Sequence, residues 1–331
     1  DEPTALLENE KVDMLFRFIG ELKSQGVSII YISHRLEEIM QICDSVTILK
    51  DGSYVDTMPI ENVTKDSLIQ MMVGRPATDI YNIRHFDTDE ELLRVENFSD
   101  SKHFKNINFT LHKGEILGFA GLVGAGRTET MRLICGADPM DSGTIRVNGK
   151  DVKIRSPKDA VRYGIGYLSE DRKRYGLCLN LSVADNTVLP SLEQIFKGPF
   201  VHDKKAQRLA QEHAEQIRTK TPSVRARVGS LSGGNQQKVV IGKWLATHPK
   251  VLILDEPTRG IDVGAKREIH QLMSKLADQG VGIIMISSEM PEVLGMSDRI
   301  IVMHEGHVCG ELSRSEATQE RIMSLILSAA G

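Results

Sequence analysis

The sequence is short of cysteine. It holds four, Cys43, Cys135, Cys178 and Cys309, and no C-x-x-C pair. Scattered thiols argue against a zinc site or a disulfide framework and point to a reducing compartment. No apolar run approaches the roughly 20 residues of a membrane span, and no charged-then-apolar leader opens the chain. If the protein serves a membrane process, it is therefore expected to do so from the side, as a peripheral subunit. Positive charge is not in excess either. The net charge is −4, which leaves no electrostatic footprint for nucleic acid. Apolar content of 40% and charged content of 26% are those expected of a soluble globular protein. A length of 331 residues allows more than one domain and an ample core.

A long repeat is present. Asp1-Glu2-Pro3-Thr4 recurs as Asp255-Glu256-Pro257-Thr258, 254 positions on. At the same offset Gly26-Val27 matches Gly280-Val281, Ile32-Ser33 matches Ile286-Ser287, Asp44 matches Asp298 and Gly52 matches Gly306. A repeat of this length means two copies of one domain. Residues 1–74 are expected to be the C-terminal remnant of a first copy, 75–91 a polar linker, and 92–331 a second copy with a helical lobe over about 171–240. The first copy's own glycine loop and signature turn are expected to lie before Asp1.

In the first copy, apolar residues at Val12, Leu15, Phe16, Ile19 and Leu22 predict a helix over 8–24. A buried strand is expected over 27–32, a short helix over 35–42, a hairpin about Asp51-Gly52, and a helix over 64–73 stopped by Gly74. In the second copy, strands are expected over 93–98, 107–111, 116–120, 144–147 and 165–168, with helices over 157–163 and 201–219. Val251-Leu252-Ile253-Leu254 has no polar alternation, as in a parallel strand covered on both faces. It ends in Asp255 and Glu256, at the strand end where open α/β sheets bind ligands.

Two glycine stretches carry the chemistry. Gly121-Leu122-Val123-Gly124-Ala125-Gly126-Arg127-Thr128 fits the phosphate-binding pattern G-x-x-x-x-G-K-[ST], with arginine where lysine belongs. Its glycines let successive N–H groups face phosphates, and Thr128 offers a hydroxyl to Mg²⁺. Arginine is bulkier and planar, so nucleotide binding is expected to survive and γ-phosphate chemistry to suffer. Leu231-Ser232-Gly233-Gly234-Asn235-Gln236-Gln237 is a short glycine turn opening a helix, where bare N–H groups and the helix dipole make an anion site. Arg172-Lys173-Arg174 is read as a solvated charge run.

These motifs, in this order and spacing, resemble those of ABC-type ATPases, specifically the fused ribose/galactose-type importer subunits of bacteria, over nearly the whole chain. The resemblance implies an α/β fold of P-loop NTPase type. It would have a mostly parallel core sheet, an antiparallel β subdomain and a helical subdomain. It implies ATP and Mg²⁺ as cofactors, with Asp1, Asp255 and Thr128 on the metal and Glu2 and Glu256 polarising the attacking water. Leu231, Ser232, Gly233, Gly234 and Gln236 would form the signature, and Asp262 would cross the dimer interface. Glu170 stands where the family carries a glutamine that senses Mg²⁺ and the γ-phosphate.

His34 matches the family's γ-phosphate histidine, and its counterpart in the second copy is Ser288, which has neither the reach nor the ring. Arg127, Glu170 and Ser288 thus put three departures at one nucleotide. Because each nucleotide in such dimers lies between one copy's loop and the other's signature, the two sites are expected to be unequal. The first copy's acids and His34 with Ser232, Gly233 and Gly234 would form the active one. The implied partners are integral membrane permease subunits and, indirectly, a periplasmic solute-binding protein, at the cytoplasmic face of the inner membrane. A nucleoside importer ATPase shares the plan. A soluble ABC protein of translation or repair would show a long charged linker or zinc cysteines, and a non-catalytic regulator is opposed by Glu2 and His34. The 331 residues alone are expected to show negligible ATPase, with half of each composite site outside them.

Overall fold

The structure, a computed structural model, describes residues 3–4, 9–33, 36–50, 53–64, 67–68, 71, 88–100, 104–192, 196–197 and 200–329. The chain divides into two compact units, Asp1–Ile80 with Gly260–Arg267, and Tyr81–Arg259 with Glu268–Gly331.

In the first unit, α1 (Asn9–Ser24) and α2 (Leu36–Ile42) precede a hairpin of β1 (Ser45–Lys50) and β2 (Ser53–Pro59). Every one of these bounds recurs 254 positions later, in Val263–Asp278, Met290–Met296, Arg299–His304 and His307–Ser313. Even the register slip between Ile48 and Leu49 has its twin between Val302 and Met303. Identical element bounds from diverged side chains are what two copies of one domain produce. Leu36, Val46, Ile48, Val63 and Leu68 form this unit's core.

One expectation fails. Residues 27–32 are not a buried strand: they have no strand assignment, and Ile30 is 91% exposed. In the later copy the matching strand is held between two parallel neighbours. No such neighbours flank 27–32 among the described residues. A strand of that kind is stabilised by its ladder partners and not by its own sequence. The hairpin tip at Asp51-Gly52, most of the helix over 64–73 and most of the 75–91 linker lie outside the described residues.

The second unit opens with β3 (Glu91–Asp100) and β4 (Phe104–His112), which join β6 (Ser142–Val147) and β7 (Lys150–Val152) in an antiparallel sheet of order β4-β3-β6-β7. The turn at Asn148-Gly149 has positive φ at both residues, 51° and 73°, the geometry of a type I′ hairpin. The main sheet takes β5 (Ile116–Gly121), β8 (Ile165–Leu168), β11 (Val251–Asp255), β12 (Gly282–Ile286), β13 (Arg299–His304) and β14 (His307–Ser313) in the order β14-β13-β5-β12-β11-β8. All pairs are parallel except β13–β14 at the edge. Two short strands, β9 (Phe196–Lys197) and β10 (Phe200–Val201), pair with each other.

The strands β11 and β12 are buried at every residue, which explains their unbroken apolar runs. One core serves both sheets: Phe109 of β4 meets Phe119 of β5 edge-on, with ring centroids 5.2 Å apart. Helices α3 (Arg127–Ile134), α4 (Pro157–Arg162), α5 (Val183–Val188), α6 (Asp203–Gln216), α7 (Gly233–Leu245), α8 (Val263–Asp278), α9 (Met290–Met296) and α10 (Gln319–Ala329) follow in chain order. Of these, α5, α6 and α7 pack together as the expected helical lobe. The fold is the α/β arrangement expected from the sequence. Among the described residues no helix is long and apolar enough to cross a membrane.

Candidate functional site

The site begins where β5 ends. Gly121 lies so close to β13 that an added Cβ would sit 2.4 Å from the Met303 carbonyl oxygen. Gly124 and Gly126 have φ of 81° and 90°, which only glycine adopts without strain. The loop therefore turns within a few residues and delivers the chain into α3. Gly126 provides no side-chain cap for that helix, so the first N–H groups of α3 are left for a ligand. Leu122 and Val123 form the exposed tip of the loop.

The acidic pair stands at the end of β11, two strands over in the sheet, with Asp255 its last residue and Glu256 just past it. Asp255 is fully buried. Burial raises its pKa to about 6, against bonds from Thr128 and Tyr167 that favour the charged form. The Tyr167 hydroxyl donates to Asp255 Oδ2 at 3.1 Å, while Oδ1 is buried without a partner of standard geometry. A buried carboxylate oxygen left open beside a threonine hydroxyl fits a Mg²⁺ ion, which takes one or two protein ligands and completes its shell with phosphate and water.

Glu256 has a φ of 52°, a left-handed backbone that turns the chain off the strand. Burial raises its pKa to about 7, with the Ser288 hydroxyl and the Arg127 charge acting in opposition. Ser288 donates to Glu256 Oε2 at 3.0 Å. A glutamate raised this far is half protonated near neutrality and can exchange a proton with water.

That shift is also a stability statement. A carboxyl whose folded pKa lies above its unfolded value adds stability below the unfolded pKa and loses it as pH rises through the folded one. Glu256→Gln removes the titration. Its stability relative to the unsubstituted chain should rise between pH 5 and 8 by on the order of 2 kcal/mol after solvent screening. Urea denaturation of this chain at the two pH values measures it, and a pH-independent difference would refute the burial argument.

All three departures face this pair. Arg127 donates through Nη1 to the Ser287 carbonyl at 3.0 Å, at the end of β12 and next to Ser288. Glu170, just past β8, pairs with Arg259, past β11. Sequence reading missed both Tyr167 and Arg259. A phenol on a strand that is otherwise buried was the available signal for Tyr167; nothing local marks Arg259. The charge run at 172–174 is only partly solvated. Lys173 and Arg174 are exposed, but Arg172 reaches the Arg259 carbonyl at 2.8 Å.

At the signature turn, Ser232 is exposed at the start of α7 and its side chain makes no cap bond to the helix. Asn235 donates to the Ser232 hydroxyl at 2.9 Å and accepts from the Lys220 N–H at 2.8 Å. Gln236 is buried and donates to the Leu231 carbonyl at 3.1 Å, so it holds the turn from behind. Asp262 accepts from the Ala265 N–H at 2.8 Å, a cap for α8. Asp1, Glu2 and His34 lie outside the described residues.

A glycine loop between strand and helix, with an acidic pair at the end of a strand two places over in the same parallel sheet, defines a P-loop nucleoside-triphosphate site. Residues 104–259 match the family described as ABC transporter. The chain is 53% identical to a ribose import ATP-binding protein of Lactococcus lactis subsp. cremoris over 98% of its own length and 66% of that protein's. It is 52% identical to a putative ribose/galactose/methyl galactoside import ATP-binding protein of Burkholderia lata, over 98% and 64%. The chain thus spans just under two thirds of the length of these relatives. An ATP-binding cassette of an ABC transporter in its ADP conformation superposes with a TM-score of 0.59 at 22% identity, over 72% of this chain and 98% of that one. Residues 104–259 thus belong to the ATP-binding family of ABC transporters.

Proposed function

We propose that the protein containing this chain hydrolyses ATP to energise sugar import through a membrane permease. The observation that carries the reading is buried Asp255 followed by half-buried Glu256 near the glycine loop, with both carboxyl pKa values raised toward neutrality by desolvation. The names borne by its half-identical relatives, ribose and galactoside import, support the sugar. Integral permease subunits at the cytoplasmic face of the inner membrane would be the direct partners, and a periplasmic binding protein the indirect one.

Asp255 and Thr128 would hold Mg²⁺, which when bound neutralises phosphate charge. Glu256 would orient water, the α3 N-terminus would bind phosphate, and Ser232, Gly233 and Gly234 would serve the opposite nucleotide. Asp262 would face the other copy. The two sites would be unequal, with Glu2 and His34 at the faster one.

The complete protein reconstituted with its permease tests the reading. ATP turnover is expected to rise when ribose-loaded binding protein is added outside the vesicle. Turnover indifferent to both permease and binding protein would overturn it. Stimulation by a nucleoside-loaded binding protein instead would replace the sugar reading with a nucleoside one.

A further inference from the structure

Each copy carries a buried glutamate that the site described above does not use. Glu38 in α2 is 5% exposed and Glu292 in α9 is 2% exposed, and the repeat superposes them. In the first copy Thr4 donates to Glu38 Oε1 at 2.6 Å, and Ser33 donates to Oε2 at 3.0 Å. The repeat partners are Thr258 and Ser287, and their hydroxyls likewise lower the Glu292 pKa. Burial, the largest influence, pushes it upward but is outweighed by these bonds and by His270. Thr4 and Thr258 follow the two acidic pairs, while Ser33 and Ser287 immediately precede His34 and Ser288. One carboxylate therefore ties the segment after the acids to the segment that reaches the γ-phosphate.

The remaining donor differs between copies. Tyr31 donates to Glu38 Oε2 at 2.8 Å, whereas His270 meets Glu292 Oε1 at 2.5 Å. Their counterparts are apolar: Met285 replaces Tyr31, and Phe16 replaces His270. Each copy thus fills the same need from the opposite side. On β12, period-two alternation puts residue 285 on the face of Ser287, toward Glu292. A buried carboxylate needs donors to remain charged: Thr4, Ser33 and Tyr31 serve Glu38, while His270 serves Oε1 of Glu292 and its Oε2 has no partner of standard geometry.

We infer that Glu38 and Glu292 are positioning residues that lock the γ-phosphate segment of their copy in register with its acidic pair. The inference rests on the proposed ATPase reading and is tested in the complete protein in both copies. Tyr31→Phe is expected to lower kcat about tenfold with the KM for ATP unchanged, because small misplacement costs turnover more than binding. Adding Phe16→His, which imports the other copy's donor, should restore most of it. The mirror arm is His270→Phe with rescue by Met285→Tyr. Thermal melts of all four variants separate lost positioning from lost folding.

Rescue of kcat in either copy supports the clamp. Loss of kcat without rescue, or no loss in either copy while Glu2→Gln still abolishes turnover, overturns it. Persistence of turnover in both Glu2→Gln and Glu256→Gln would instead count against the ATPase reading. The copy that responds reports separately on site inequality.

Discussion

Glu2→Gln in the complete protein should cost at least about 10²-fold in ATP turnover, while Glu256→Gln leaves it within about twofold. A water-polarising carboxylate contributes on the order of 10²–10⁴-fold, so its loss at the working site is conspicuous. The asymmetry follows from what surrounds Glu256. Its Oε2 accepts from Ser288, a hydroxyl that cannot bridge to a γ-phosphate as an imidazole can. The neighbouring Arg127 is engaged with the Ser287 carbonyl. The first copy keeps His34 at the matching position. On the proposed reading, a site with its base but without its phosphate-sensing partners would bind nucleotide and turn it over slowly. Steady-state phosphate release by the two variants decides the matter, and equal losses would remove the case for unequal sites.

The parts of this site that were readable in advance are those that depend on local geometry. Positive φ at Gly124 and Gly126 forces glycine into the sequence, and full burial of β11 forces an unbroken apolar run before Asp255. The repeat was readable because the same residues recur at a constant offset, and the hairpin's element bounds and register shift recur with them.

What was missed depends on contacts between distant segments. Tyr167 and Asp255 are 88 positions apart, and Glu170 and Arg259 are 89 apart. No local pattern couples them. The strand expected over 27–32 failed for the same reason in reverse. Its composition is that of β12, but a buried strand exists only between partners, and Ile30 without them stands 91% exposed. Gln236 shows a subtler limit: the motif singles it out, yet its side chain turns inward to the Leu231 carbonyl.

If the three departures disable the second site, reversing them should restore it. Arg127→Lys, Glu170→Gln and Ser288→His together, in a Glu2→Gln background, are expected to raise turnover about 10²-fold above that background. Single reversions should give little, because residues that act on one transition state are strongly non-additive. Lysine would release the Ser287 carbonyl and place a compact charge among the phosphates. Glutamine would leave Arg259 without its carboxylate partner, now paired across two loops. Histidine would extend past Glu256 to where the γ-phosphate is expected. Nucleotide affinity should change far less than turnover, since Arg127→Lys keeps the positive charge and leaves the loop glycines and the uncapped N–H groups of α3 in place. A triple variant that binds ATP normally and still fails to turn it over would mean that the defect lies elsewhere, in the signature turn contributed by the first copy.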